Sequence, residues 1–171
     1  VSMTTTVESI FGTGRMVHGF FLNNQLTDFS WSPVEKGGVP AANAVAAGKR
    51  PRSSMAPAVI LDRKGKLVAA VGSPGGPSIL GYNLKALVAM LDWNMAPQDA
   101  VALPNMVARG STYGTELDKM PPQVVEGLQA KGVKLIQGAG AEGSGLHAVR
   151  VTPAGLVGGA DPRREGVALG Y

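Results

Sequence analysis

Cysteine is absent from this 171-residue chain. That one absence excludes disulfides, zinc knuckles, iron–sulfur ligation and thiol nucleophiles. Histidine is scarce: His18 and His147 stand 129 positions apart, so a His-based metal site would need both, and no metal or other cofactor is expected. Only nine residues are aromatic, and none falls between Ser32 and Gly81. Charged residues reach just 16% against 44% hydrophobic, which excludes a disordered chain or a solvated coiled coil. No apolar run approaches the roughly 18 residues that would cross a bilayer. The net charge of +4 raises the question of nucleic acid, which calls for clustered cations interleaved with aromatics. Here the cations are spread, the densest stretches being Lys49-Arg50-Pro51-Arg52 and Arg63-Lys64-Gly65-Lys66, so no nucleic-acid partner is expected.

What the chain has in quantity is glycine and proline, 24 and 12 residues, scattered without a three-residue period. With this length, they predict one loop-rich domain over 1–171, of α/β or β class. The opening Val1-Ser2-Met3-Thr4-Thr5-Thr6-Val7 has no basic n-region and no signal-type apolar core, and reads as a strand cut near its start. A strand is expected from Met3 to Ile10 and another from His18 to Leu22, then a loop from Ser30 to Arg52. Ala58–Leu61 and Leu67–Val71 flank Asp62-Arg63-Lys64-Gly65 as a hairpin. Their near-continuous apolar character suggests cover on both faces. From Ser78, a plausible N-cap, the period changes, and Leu80, Leu84, Leu87, Val88 and Leu91 form one stripe of a buried helix. Pro97 to Leu103 and Pro121 to Gly132 read as further helices, Val133 to Ile136 as a strand. Leu146–Val151 and Leu156–Gly158 flank a second hairpin turn. The order predicts a layered α+β arrangement, with helices covering a largely antiparallel sheet.

Several clusters could carry chemistry, each with a plainer reading. Gly138-Ala139-Gly140-Ala141-Glu142-Gly143 matches GxGxxG, but a dinucleotide fingerprint needs a helix next, and Leu146 to Val151 alternates as a strand; a Gly turn is expected. Gly75-Gly76, between a buried strand and a helix start, suits either paired N–H donors for an oxyanion or a tight turn. Ser53-Ser54 can bind a carboxylate or hold a loop. Asn23-Asn24-Gln25 with Asp28 suits an ammonium ligand or an ordinary turn. Asp161-Pro162-Arg163-Arg164 reads as a charged surface turn or an interface salt bridge, and both histidines as structural. There is no GxSxG elbow and no credible Ser–His–Asp set.

Taken in order, five segments resemble the γ-glutamyltransferases (γ-glutamyltranspeptidases) in their C-terminal, small-subunit portion. They are Thr4-Thr5-Thr6-Val7-Glu8-Ser9-Ile10-Phe11-Gly12-Thr13-Gly14, Phe21-Leu22-Asn23-Asn24-Gln25-Leu26-Thr27-Asp28-Phe29, Lys49-Arg50-Pro51-Arg52-Ser53-Ser54-Met55-Ala56-Pro57, Gly72-Ser73-Pro74-Gly75-Gly76 and Gly159-Ala160-Asp161-Pro162-Arg163-Arg164. The resemblance implies an N-terminal-nucleophile hydrolase fold, an αββα four-layer sandwich shared by a large and a small chain cut from one precursor. The small chain's N-terminal Thr would be the nucleophile and its amine the base. Glutathione or another γ-glutamyl compound would be the donor, water or an amino acid the acceptor. By the same resemblance Gly75 and Gly76 are the oxyanion donors, Ser53 and Ser54 hold the substrate α-carboxylate, and Gln25 and Asp28 hold its α-ammonium. Glu8 stands where several members carry Asn for that contact, and Thr6 matches the threonine that hydrogen-bonds the nucleophile.

Two departures follow. The nucleophile itself would lie upstream of Val1, so the chain alone is expected to be inactive. Some members fold an aromatic-bearing lid over the pocket between the equivalents of Asp28 and Ser53; that stretch has no Tyr here, so an open pocket is expected. A periplasmic or extracellular address is expected. The rivals are a cephalosporin-acylase-like relative, with a different acyl pocket, and a non-catalytic fragment folded for binding or assembly.

Overall fold

In the computed structural model, which describes residues 1–7, 14–138 and 143–170, the chain divides into two units. One is Thr5–Ser53 and the other joins Val1–Thr4 to Ser54–Tyr171.

In the first unit a two-residue turn decides the register. His18 and Gly19 have φ of 51 and 87, the doubly positive pair of a type I′ hairpin. Strand β1 (Met16–Val17) therefore pairs with β2 (Phe20–Phe21), Met16 opposite Phe21. The strand expected over His18 to Leu22 thus loses its first two residues to the turn. A 3-10 turn follows at Gln25–Asp28, and beyond it lies the expected loop, with one isolated bridge between Val34 and Pro40.

The second unit contains β3 (Ala58–Leu61), β4 (Leu67–Gly72), α1 (Ile79–Leu91), α2 (Pro97–Ala102), β5 (Met106–Arg109), β6 (Thr112–Thr115), α3 (Pro122–Ala130), β7 (Leu135–Gln137), β8 (His147–Thr152) and β9 (Gly155–Ala160). The predicted hairpins form because their turns are satisfied internally. The Asp62 carboxylate accepts from the Lys64 and Lys66 N–H groups at 2.8 and 2.9 Å while Gly65 takes φ 77. Thr152 pairs directly with Gly155 around Pro153-Ala154. The two hairpins join as one antiparallel sheet in the order β3-β4-β8-β9. A second sheet, β5-β6-β7, has β7 parallel to β6. Its β5–β6 hairpin was not foreseen, although Gly110-Ser111 between paired Arg109 and Thr112 is a two-residue turn signal.

Cross-strand register sorts the larger sheet's faces. Ala58, Ile60, Ala69, Val71, Ala148 and Gly159 share one face, and α1 and α2 cover it. Val71, Met90, Val101 and Leu146 are fully buried there with Ala69, Ala86, Ala89, Ala100 and Ala148, the larger side chains contributing roughly 1.5–3 kcal/mol each. Val59, Leu61, Val149, Val151 and Leu156 lie exposed on the opposite face. Both helices lie on one side, and on the other the chain's own ends come near only at the rim, Ala168 Cβ standing 2.9 Å from where a Gly158 Cβ would be and Thr4 Oγ1 3.4 Å from a Gly72 Cβ.

The stripe chosen for α1 is corrected too. Leu80 and Leu84 are each 62% exposed, whereas Ile79, Tyr82, Ala86, Ala89 and Met90 point into the core. Small residues let the helix backbone approach the sheets; a Cβ on Gly81 would already sit 3.2 Å from the Val107 side chain. Ser78 gives no side-chain cap, the chain entering α1 instead through a 3-10 turn at Gly76–Ser78 containing Pro77. Residues 1–7 form no strand; Ser2 is fastened by its hydroxyl, which donates to the Val71 carbonyl at 3.0 Å. The α+β expectation holds, and no helix among the described residues is long and apolar enough to cross a membrane.

Candidate active site

In the first unit the 3-10 turn places Gln25 and Asp28 three residues apart on the same side. Gln25 Nε2 donates to Asp28 Oδ2 at 2.6 Å, and Gln25 N to Asn23 Oδ1 at 3.1 Å. This arrangement commits the amide's donor side to the carboxylate and leaves Gln25 Oε1 as an acceptor. Asn43, which the sequence did not single out, donates Nδ2 to the Asp28 carbonyl at 2.7 Å and accepts the Arg52 N–H at 2.9 Å. One side chain thereby ties the Gln25–Asp28 turn to the chain leading into Ser53. Asn24 is buried beneath, and the Thr6 hydroxyl donates to its Oδ1 at 2.7 Å. With its proton used there, Thr6 Oγ1 retains lone pairs to accept a bond from a neighbouring hydroxyl or ammonium. Glu8 lies outside the described residues.

In the second unit Ser54 precedes β3 in extended chain. Asn83 on α1 holds this segment from below, donating Nδ2 to the Ala56 carbonyl at 2.7 Å. The Gly75-Gly76 turn follows β4 directly. Gly75 has φ 129 and Gly76 φ 52, and a Cβ on Gly75 would lie 2.5 Å from Tyr82 Cε2. Only glycine fits there, on both backbone and steric grounds. Ser78 N closes the turn on the Gly75 carbonyl at 3.1 Å. Among the described residues, neither the Gly75 nor the Gly76 N–H finds an acceptor. Two adjacent unspent donors at a helix entrance are the equipment for stabilising a developing oxyanion.

The Asp161-Pro162-Arg163-Arg164 turn is not the surface feature expected. Asp161 is 2% exposed and accepts from Ser144 Oγ (2.5 Å), Leu146 N (3.2 Å), Arg163 N (3.0 Å) and Arg163 Nη1 (2.9 Å). Arg163 also meets Glu116 through Nε and Nη2, at 2.8 and 2.6 Å. Burial favours the neutral carboxyl of Glu116, but hydrogen bonds from Arg163, Lys119 and the Asn105 N–H outweigh it and hold the pKa at about 2. Asp161 is lowered in the same way against its own burial, by Ser144, Arg163 and Leu146. Lys85 of α1 donates to the Val101 and Leu103 carbonyls and to Asn105 Oδ1; burial first, and the Arg163 charge second, bring it down to about 8. The histidines do nothing comparable: His18 sits in the β1–β2 turn and His147 Nδ1 lies 3.2 Å from the Gly145 carbonyl. Of the GxGxxG match, residues 139–142 lie outside the described residues, and β8 rather than a helix follows.

The α+β layer that carries the strand–Gly-Gly–helix turn is a module of the N-terminal-nucleophile hydrolase class, the class of the solved structures on which it superposes. The chain belongs to the γ-glutamyltranspeptidase family, whose model matches residues 1–171. It is 42% identical over 137 residues to the glutathione hydrolase proenzyme of Bacillus subtilis, covering 78% of this chain and 22% of that protein. It is 32% identical over 162 residues to the acylase ACY 1 proenzyme of a Pseudomonas species, covering 94% of this chain and 27% of that protein. A solved acivicin-inhibited γ-glutamyltranspeptidase, whose C-terminus has critical roles in autoprocessing and catalysis, superposes with a TM-score of 0.76 at 32% identity, covering 97% of this chain and 93% of that one. The chain therefore spans between a fifth and a third of the curated relatives' length.

Proposed function

We propose that residues 1–171 are most of the small subunit of a γ-glutamyltransferase that cleaves the γ-glutamyl amide of glutathione and related compounds. A stretch that fills under a third of the curated proenzymes fills 93% of one solved chain, which supports a large subunit cut from the same precursor as partner. The resemblance puts the nucleophilic Thr upstream of Val1, and Thr6 beside it as a hydrogen-bond partner.

The chemistry follows from these parts. The Thr hydroxyl oxygen attacks the γ-carbonyl carbon while its proton passes to the α-amine of the same residue. Charge moves to the carbonyl oxygen, where the Gly75 and Gly76 N–H groups stabilise it; a single such donor is worth about 2.7–4 kcal/mol. Collapse expels the amine with that proton, leaving a γ-glutamyl ester on Thr. Water or an amino-acid amine then attacks the ester carbon, and the Thr oxygen leaves with the acceptor's proton. Gln25, Asp28 and Glu8 receive the substrate α-ammonium, Asp28 supplying counter-charge, and Ser53 and Ser54 receive the α-carboxylate. The pocket is open, with no Tyr between Asp28 and Ser53 to close over it, and the address is periplasmic or extracellular.

The observation that carries this reading is the pair of Gly75 and Gly76 amides, without an acceptor among the described residues, at a turn only glycine can make. Its test is γ-glutamyl anilide cleavage by the full-length processed precursor. Asp28→Asn is expected to lower kcat/KM by about tenfold or more, the loss of a charged hydrogen bond being about 1.5–3 kcal/mol; an unchanged value removes Asp28 from substrate recognition. The acylase relative keeps a second reading alive, in which the acyl pocket takes a cephalosporin side chain. Turnover of an acyl cephalosporin with no turnover of γ-glutamyl anilide would select it.

A further inference from the structure

The Gly75-Gly76 turn is closed on one side by Ser78 N and floored by Tyr82, but its own residues do little to aim it. A glycine pair has no side chains with which to fix a backbone, and these two amides make no hydrogen bond among the described residues. Beside Tyr82, the segment entering β8 also packs against the turn. The Gly143 carbonyl stands 3.0 Å from where a Gly75 Cβ would be, and a Cβ on Gly145 would lie 2.8 Å from Pro74 Cγ. The two stretches are joined by one polar bridge: Gly145 N donates to Ser73 Oγ at 3.2 Å, and Ser73 passes its own proton to the Pro74 carbonyl at 2.7 Å. Ser73 and Ser144 are both buried.

The segment is held in turn by the buried polar cluster. Ser144 Oγ donates to Asp161 Oδ2 at 2.5 Å and accepts from Asn105 Nδ2 at 2.8 Å. Leu146 N donates to the same Asp161 oxygen, and Asp161 N returns a bond to the Leu146 carbonyl at 2.8 Å. Asp161 cannot swing away, because its other oxygen carries Arg163, which Glu116 clamps. A chain of saturated bonds thus runs from Glu116 and Arg163 through Asp161 and Ser144 to Gly145, Ser73 and the turn.

We propose that Ser144 and Ser73 are positioning residues for the oxyanion donors: the Asp161–Ser144 bond and the Gly145–Ser73 bridge set where the Gly75 and Gly76 N–H groups point. This rests on the reading of those amides as oxyanion donors. Because they would act on an atom charged mainly in the transition state, the displacement affects kcat and leaves ground-state binding to other residues. A shift approaching 1 Å in such a site is enough for about a hundredfold loss.

The test uses the full-length processed precursor with Ser144→Ala and, as the milder change, Ser73→Ala, which removes one hydroxyl and leaves the Asp161 cluster whole. Steady-state cleavage of γ-glutamyl anilide is read beside amide hydrogen exchange at Ser78, whose N–H closes the turn on Gly75. Expected in both variants are a kcat lower by about tenfold or more with KM within about twofold, and faster exchange at Ser78 while the β4–β8 ladder amides keep their protection. A purely structural role would lower the melting temperature with kcat intact. Wild-type kcat in Ser73→Ala, or unchanged Ser78 exchange there, overturns the proposal even if Ser144→Ala fails to fold. Should the wild-type precursor cleave no γ-glutamyl anilide, the functional reading fails and Ser78 exchange alone decides whether the bridge positions the turn.

Discussion

Glu116 is a carboxylate with much to lose on protonation. Asn105 N, Lys119 Nζ and Arg163 donate to it, and its folded pKa of about 2 lies below the ordinary 4.5. A group depressed in this way contributes stability that is complete above the unfolded value and is lost as pH falls from about 4.5 towards about 2. Asp161 acts in the same direction. Lys85 has the opposite sign: its folded value of about 8 lies below the ordinary 10.5, so keeping it charged costs stability at neutral pH, and that cost fades as pH rises between those values. Glu116→Gln is therefore expected to destabilise by about 1.5–3 kcal/mol at pH 7, because Arg163 loses one of its two carboxylate partners and keeps Asp161. It should also flatten the acid limb. Urea denaturation at pH 7 and pH 3 checks both; equal acid sensitivity in the two proteins would remove Glu116 from that limb. None of this was legible in Asp161-Pro162-Arg163-Arg164, which reads as a surface turn because its partners Ser144 and Glu116 are 17 and 47 positions away. Nor did the sequence point to Asn43, whose side chain links Asp28 to Arg52.

Helix α1 does more than fill a layer. Its entrance shapes the Gly75-Gly76 turn, Tyr82 packs beneath Gly75, Asn83 holds the Ala56 carbonyl behind Ser54, and Lys85 reaches the Asn105 cluster. These tasks all fall on the side that faces the sheets, where the approach is close and the residues between are small. Ala86→Leu is expected to cost about 1–3 kcal/mol by overpacking at a site with 0% exposure. Leu84→Glu, on the outward stripe, should stay within about 0.5 kcal/mol of wild type. Thermal or urea melts of both variants settle which stripe is buried, and the reverse ranking would restore the Leu stripe to the core. Period and punctuation sufficed to locate this helix, because 3.6-residue spacing and the flanking Gly and Pro are local properties. They could not choose between two apolar stripes. The larger apolar area of each side chain favours the leucines, and close approach of the backbones favours the alanines.

At the scale of the whole chain, the second unit leaves apolar surface open. Val59, Leu61, Val151 and Leu156 lie exposed on the sheet face opposite α1 and α2, and Leu80 and Leu84 on α1. Patches of this kind mark association surfaces. Residues 1–171 prepared alone should self-associate, with a light-scattering mass well above 17.5 kDa; a stable monomer would mean the exposed face tolerates water without a partner. Five ordered motifs marked the family before any coordinates, because turns, helix entrances and the glycines that permit them depend on neighbours in sequence. The sequence by itself determined the hairpins at Asp62–Lys66 and Thr152–Gly155, the three helices and the α+β class. Tertiary structure alone decided which face of α1 is buried, which face of the sheet the helices cover, and that Asp161 and Arg163 form an interior cluster bracing segment 143–146. Each of those outcomes depends on the distance and shape of a partner surface far away in the chain, and on the low-dielectric interior that makes an unpaired charge costly and a paired one binding.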